Sequence, residues 1–181
     1  MPRGDLLADE LKKTGAIKFG DFTLCSGKKS NIYIDIKIAC THPELLELIS
    51  NKIKERTESA NISYDKIACV ELGGVPIAVS LSLITGKPYI IFRKQKKEYG
   101  TGGDLIGEIS KGEKILVVED VTTTGSSAYS AVKRVENYGG DVVALISVVD
   151  RDEGAEELFS KYNINFIPLM TKKELIEKEG L

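Results

Sequence analysis

From residue 66 onward, short apolar runs rich in β-branched residues alternate with stretches of helical character, and this alternation constrains the fold more than any other feature. The runs are Lys66–Val70, Pro88–Phe92, Ile115–Glu119 and Val142–Val149, with helical segments at Val75–Thr85 and Ser126–Tyr138 between them. Strands that are apolar on both faces and separated by helices pack as a mainly parallel sheet covered on its two sides, an α/β architecture. Residues Asp152 to Tyr162, Ile164 to Met170 and Lys172 to Lys178 read as a further helix, strand and helix of the same unit. A chain of 181 residues buries enough surface to fold as one domain without disulfides or structural metals. The expectation is therefore a single domain over residues 1–181.

The first forty residues follow a different pattern. Leu6, Leu7 and Leu11 have helical spacing and Gly15 stops the segment, which predicts a helix over Asp5–Thr14. Ile32, Ile34 and Ile36 then alternate with Tyr33, Asp35 and Lys37 beyond a Ser-Gly-Lys-Lys turn, the mark of a short antiparallel excursion. Thr41-His42-Pro43-Glu44 has the spacing of a capping box with Pro in the first turn, and predicts a helix from about His42 to Thr57.

Composition excludes several classes of function. The chain is 42% apolar and 29% charged with net charge −2, which argues against nucleic-acid binding through a general excess of cations. No apolar run reaches the ~18 residues of a membrane span, and the N-terminal decapeptide lacks the apolar core of a signal peptide. A cytoplasmic location without membrane attachment is expected. Cys25, Cys40 and Cys69 form no C-x-x-C pair and have only His42 for company, so reduced thiols are expected.

Chemistry concentrates in Val117-Val118-Glu119-Asp120-Val121-Thr122-Thr123-Thr124-Gly125-Ser126-Ser127. An apolar strand ends in two acids at its carboxyl edge, where open α/β sheets bind ligands. A Thr-, Gly- and Ser-rich turn then leads into a helix, so hydroxyls and unpaired N–H groups converge on a site for a phosphate dianion. Gly125 lets the backbone approach the ligand, and neutral donors bind phosphate without burying a countercharge. Two adjacent carboxylates do not suit phosphate. They suit a vicinal diol, and the positive charge on a sugar losing its anomeric leaving group. No Walker A pattern occurs.

Two further segments complement this loop. Glu71-Leu72-Gly73-Gly74-Val75-Pro76 joins a strand to a helix and can present successive N–H groups to an anion. Taken alone, it is also what a tight strand-to-helix turn requires. Arg93-Lys94-Gln95-Lys96-Lys97-Glu98-Tyr99-Gly100 passes into a run containing three glycines, which predicts a flexible basic loop able to close on an anionic leaving group. Taken alone, it is also a solvated surface loop. Magnesium held mainly by substrate oxygens and water would neutralise a diphosphate without a dedicated protein cage.

The eleven-residue segment resembles the phosphoribosyl pyrophosphate (PRPP) signature of type I phosphoribosyltransferases. Adding Phe22–Ser30 with Tyr33-Ile34-Asp35, the Arg93–Gly100 stretch and Asp150-Arg151-Asp152-Glu153-Gly154, nearly the whole chain resembles the orotate phosphoribosyltransferases. The resemblance implies the type I phosphoribosyltransferase fold, with a small N-terminal hood from about residues 1–40 and a flexible basic loop. It also implies phosphoribosyl transfer from PRPP to orotate, in pyrimidine biosynthesis, and a homodimer with shared active sites. Carried over residue by residue, Thr123 and Arg151 match orotate contacts and Glu71 to Gly74 match the pyrophosphate loop. Arg93, Lys94, Lys97 and Tyr99 match the diphosphate-binding stretch, Glu119 to Ser127 match the phosphoribosyl loop, and Glu119, Asp120 and Lys97 are the catalytic candidates. By its local sequence Arg151 equally suits an ion pair with Asp150, Asp152 or Glu153. The chain departs from the pattern with Cys25 and Gly73 where Lys is found in relatives, Tyr99 where many have His, and Ile106 where Glu is frequent. Transfer to another base, or a regulator that senses PRPP without catalysis, would share the Glu119–Ser127 loop.

Overall fold

The computed structural model describes residues 4–23, 27, 29–97 and 103–180. Helix α1 (Gly4–Lys13) seats Leu7 and Leu11 in the core and ends before Gly15, whose φ of +74° suits a residue without a side chain. Strands β1 (Ile17–Thr23) and β2 (Lys29–Ile34) then form the expected antiparallel hairpin. The alternation read through Lys37 stops early. The Asp35 carboxylate accepts the Lys37 N–H and caps a helical turn, α2 (Ile36–Ala39).

Helix α3 (Pro43–Ser59) begins at the expected Pro, but the capping box does not form: His42 is the N-cap, and the Thr41 hydroxyl donates backwards to the Ile38 carbonyl. The box appears instead at Thr171 and Glu174, which start the last helix. Leu45, Ile49 and Ile53, four residues apart, point α3 into the core.

The remaining elements are β3 (Lys66–Val70), α4 (Gly74–Thr85), β4 (Tyr89–Lys97), β5 (Gly103–Ile106), β6 (Lys114–Thr122), α5 (Ser126–Asn137), β7 (Asp141–Asp150), α6 (Ala155–Lys161), β8 (Phe166–Thr171) and α7 (Lys172–Glu179). The described strands of the main sheet run β5-β4-β3-β6-β7-β8, all neighbours parallel except the antiparallel edge strand β5. Alternate residues serve opposite faces. Ile67, Cys69, Leu116 and Val118 pack with α1, α3, α4 and α7, while Ala68, Val70, Ile115 and Val117 pack with α5 and α6. Each buried Ile, Leu or Val among them contributes roughly 1.5–3 kcal/mol, so the doubly covered strands are the firmest part of the molecule.

The basic stretch departs from its predicted irregularity, because Arg93–Lys97 continues β4 and Lys97 pairs with Gly103 of β5. The Arg134 guanidinium secures this edge. It donates to the Arg93 carbonyl and to both the carbonyl and the carboxylate of Asp104, and lies 4.4 Å from the centre of the Phe92 ring.

Candidate active site

The chain leaves β3 toward β4 on one side, and leaves β6 toward β7 and β8 on the other, so strand order reverses between β3 and β6. A crevice opens at the carboxyl ends of two strands that diverge in this way. Pairing of β3 with β6 ends at Cys69–Val118, whereas β6 runs on beside β7 to Thr122–Asp150. Residues 119–122 therefore border this gap while still held in a strand, three residues beyond the expected end of the run at Glu119.

The opening there has a volume of about 370 Å³ and is lined by the predicted Glu71, Leu72, Gly73, Lys94, Glu119, Asp120, Val121 and Ser127, together with Lys37 and Val70. Segments read separately in the sequence thus converge. A hollow of about 420 Å³ lies at the far ends of α3 and α4, between Lys54, Glu58, Tyr64 and Lys87. It borders helix C-termini and contains one carboxylate, a poor setting for an anionic sugar phosphate.

Glu119 is 7% exposed. Burial, followed by the charge of Asp120, pushes its carboxyl up to about 8, so it keeps its proton at neutral pH. The pyrophosphate loop makes room for the second acid. A Cβ on Gly73 would fall 2.1 Å from Asp120 Oδ2, so any side chain at residue 73 would displace that carboxylate. Gly74 is also closely packed, its Cβ position 2.9 Å from the Cys69 side chain and 3.0 Å from the Val118 carbonyl. The Glu71–Leu72 peptide is cis. The Glu71 carboxylate accepts the Lys94 N–H, and Glu71 N–H donates to the Phe92 carbonyl, which ties this loop to β4.

In the phosphate loop, Thr124, Ser126 and Ser127 are exposed at the start of α5, whose first N–H groups have no partner within the helix. Two residues of the loop also serve the fold. The Thr122 hydroxyl faces inward, 3.3 Å from Ser147 Oγ and 3.1 Å from the Asp150 carboxylate, so its side chain is engaged inside the fold. Gly125 has a φ of +78°, and a Cβ there would meet Phe159 at 2.8 Å, so its missing side chain admits α6.

Arg151 does not line this opening. Its Nε lies 3.2 Å from Glu153 Oε1, outside hydrogen-bonding geometry, beside a separate hollow shared with Asp152, Lys172 and Lys173. Its backbone N–H donates to the Thr122 carbonyl, which places it one strand from the phosphate loop next to Thr123. Arg93 is half-buried and Lys94 exposed. The Lys97 side chain, Tyr99 and Cys25 lie outside the described residues. Lys37 went unread as a site residue, since its only signal was a place in an alternating strand pattern.

Comparison with known proteins agrees with this geometry. The model of the phosphoribosyl transferase domain family matches residues 40–172. The fold and the site define a phosphoribosyltransferase. Orotate phosphoribosyltransferase of Archaeoglobus fulgidus is 52% identical over 173 residues, covering 96% of this chain and 92% of that protein. The crystal structure of the enzyme of that name from Aeropyrum pernix aligns with a TM-score of 0.85 at 32% identity, over 96% of this chain and 98% of that one. That from Mycobacterium tuberculosis in complex with PRPP aligns at 0.78 with 30% identity, over 96% and 99%. The chain belongs to the orotate phosphoribosyltransferase family.

Proposed function

We propose that the chain transfers the 5-phosphoribosyl group of PRPP to orotate, giving orotidine 5′-phosphate and diphosphate, with the roles of its residues as follows. The observation that carries this reading is the convergence of Glu119–Ser127, the Glu71–Gly74 loop and Lys94 on one opening at the switch point of the sheet. The 5-phosphate accepts from the hydroxyls and N–H groups of Thr123–Ser127 at the start of α5. The ribose diol donates to Asp120 and meets Glu119, and the diphosphate faces Glu71–Gly74 with Arg93, Lys94, Lys97 and Tyr99. Thr123 and Arg151 receive the base, the Arg151 guanidinium leaving Glu153 for the bidentate pairing that a planar carboxylate offers.

A deprotonated ring nitrogen of orotate forms the new bond to ribose C1 as the C1–O bond breaks, and the electron pair leaves on the diphosphate oxygen. Positive charge builds on the ribose ring beside Asp120, and negative charge on the leaving group beside Lys94 and Lys97, so placement and electrostatics supply the rate. Magnesium fits this opening. The carboxylates of Glu71 and Asp120 line it with room for a bulky anion, and the ion needs only one or two carboxylates, directly or through water, besides substrate oxygens. When bound, it neutralises the diphosphate. Leu83, 82% exposed, supports a homodimer that covers it, with the basic stretch near the neighbouring site. A cytoplasmic setting suits these soluble substrates, and no described helix is long and apolar enough to cross a membrane.

The test is to combine the protein with magnesium, PRPP and orotate and follow the loss of orotate absorbance. Turnover is expected. Turnover with adenine or hypoxanthine and none with orotate would overturn the choice of acceptor.

A further inference from the structure

Lys37 belongs to the turn α2 that follows the hairpin, far in sequence from every element of the switch-point site, yet its side chain lines the same opening. Its Nζ lies 2.8 Å from Asp35 Oδ1 and 3.8 Å from Asp120 Oδ2. The same Asp35 carboxylate accepts the Lys37 backbone N–H at 3.2 Å. One acid thus fixes both the backbone and the ammonium of Lys37. Tyr33 adds its hydroxyl to the other Asp35 oxygen at 3.5 Å.

The Asp120 carboxylate is also closely approached by Gly73, where an added Cβ would lie 2.1 Å from Oδ2. Asp120 thus has a bare backbone and a cation as neighbours. A carboxylate that must accept from a ribose diol gains when its orientation is set before substrate arrives, because none of the binding free energy is then spent on turning it. Lys37 is half exposed, its side chain at 52%. It can follow Asp120 onto a bound ribose without leaving Asp35.

We propose that Lys37 is a positioning residue for phosphoribosyl transfer, its ammonium, fixed by Asp35, orienting the Asp120 carboxylate toward the ribose diol. This inference rests on the transfer reaction proposed above. It assigns the N-terminal hairpin a part on the ribose side of the site besides covering it. A purely local role for Lys37, as a surface ion pair with Asp35, would leave catalysis unchanged.

The experiment measures kcat and KM for PRPP and for orotate in wild type, Lys37→Met, Lys37→Arg, Asp120→Asn and the double variant Lys37→Met/Asp120→Asn. Lys37→Met should lower kcat about tenfold or more while KM for PRPP changes by less than about threefold, since orientation matters most in the transition state. Lys37→Arg should recover most of that loss. In the Asp120→Asn background, Lys37→Met should add less than about twofold, because the two residues act as one unit. Unchanged kcat in Lys37→Met, or a loss that multiplies fully with that of Asp120→Asn, would overturn the proposal. Failure of the wild type to turn over orotate would instead strike the transfer reading itself, so the two failures are separable.

Discussion

Glu119 enters the folded state with its carboxyl raised to about 8 by burial and by Asp120, against 4.5 for the free side chain. Between those values the native state holds a proton that the unfolded chain has released, so this group makes stability fall as pH rises. The expected result is a lower urea midpoint at pH 8 than at pH 5, with the slope flattened in Glu119→Gln. Asp150, raised mainly by burial, acts in the same direction. An unflattened slope in the variant would refute the assignment to Glu119. The two site glycines should separate function from stability. Gly73 has helical backbone angles, so Gly73→Ala strains no dihedral but pushes on Asp120. It should reduce kcat about tenfold with little change in urea midpoint. Gly125→Ala faces both a left-handed φ and the Phe159 ring, and should cost about 1–3 kcal/mol of stability. Equal stability losses in the two variants would contradict this separation.

Among the elements, the β4–β5 edge depends most on a single side chain. Arg134, reaching from α5, donates to Arg93 and Asp104 across the two strands. Asp104 is held below the usual carboxylate range by the Tyr138 hydroxyl and then by Arg134. Arg134→Met removes the donors and the guanidinium that lies over Phe92, and should destabilise the protein by about 1.5–3 kcal/mol while raising KM for PRPP more than KM for orotate. An equal rise in both would show that the edge does not serve the donor alone. This clamp also explains why the strand was illegible in sequence. Arg-Lys-Gln-Lys-Lys has no apolar alternation, and its order comes from a guanidinium forty residues away. The core strands were legible because β3, β6 and β7 are covered on both faces, and such burial demands continuous apolar runs. The phosphate loop was legible because its donors are contiguous. Lys37 was not, since only the fold brings a hairpin-following turn to the end of β6. The box at Thr41 failed for a local reason, as the Thr hydroxyl found a nearer carbonyl at Ile38.

At the scale of the whole molecule, the first and last helices are joined by Lys12–Glu179 and Lys178–Asp9. The Asp152 carboxylate accepts the Lys173 N–H at the start of α7. The segment after Arg151 is thereby connected through α7 to α1 and onward to the hairpin, while the phosphate loop stands on the sheet itself. The two sides of the site rest on different parts of the chain, and they also differ in charge. With Glu119 protonated, the acids Glu71 and Asp120 only match the cations Lys37 and Lys94 around the donor opening. A diphosphate approaching without a counterion would therefore find no net positive charge there, apart from what the basic stretch supplies. PRPP should therefore stabilise the protein strongly only with magnesium present. At a hundredfold excess over Kd, linkage gives about 2.7 kcal/mol. For a chain of this length that is a rise in Tm of roughly 5–10 °C. Thermal unfolding followed with PRPP, with and without magnesium, and again after addition of a chelator, measures this difference. A shift of the same size after chelation would mean that the basic stretch alone balances the diphosphate, and would remove the metal from the account of donor binding.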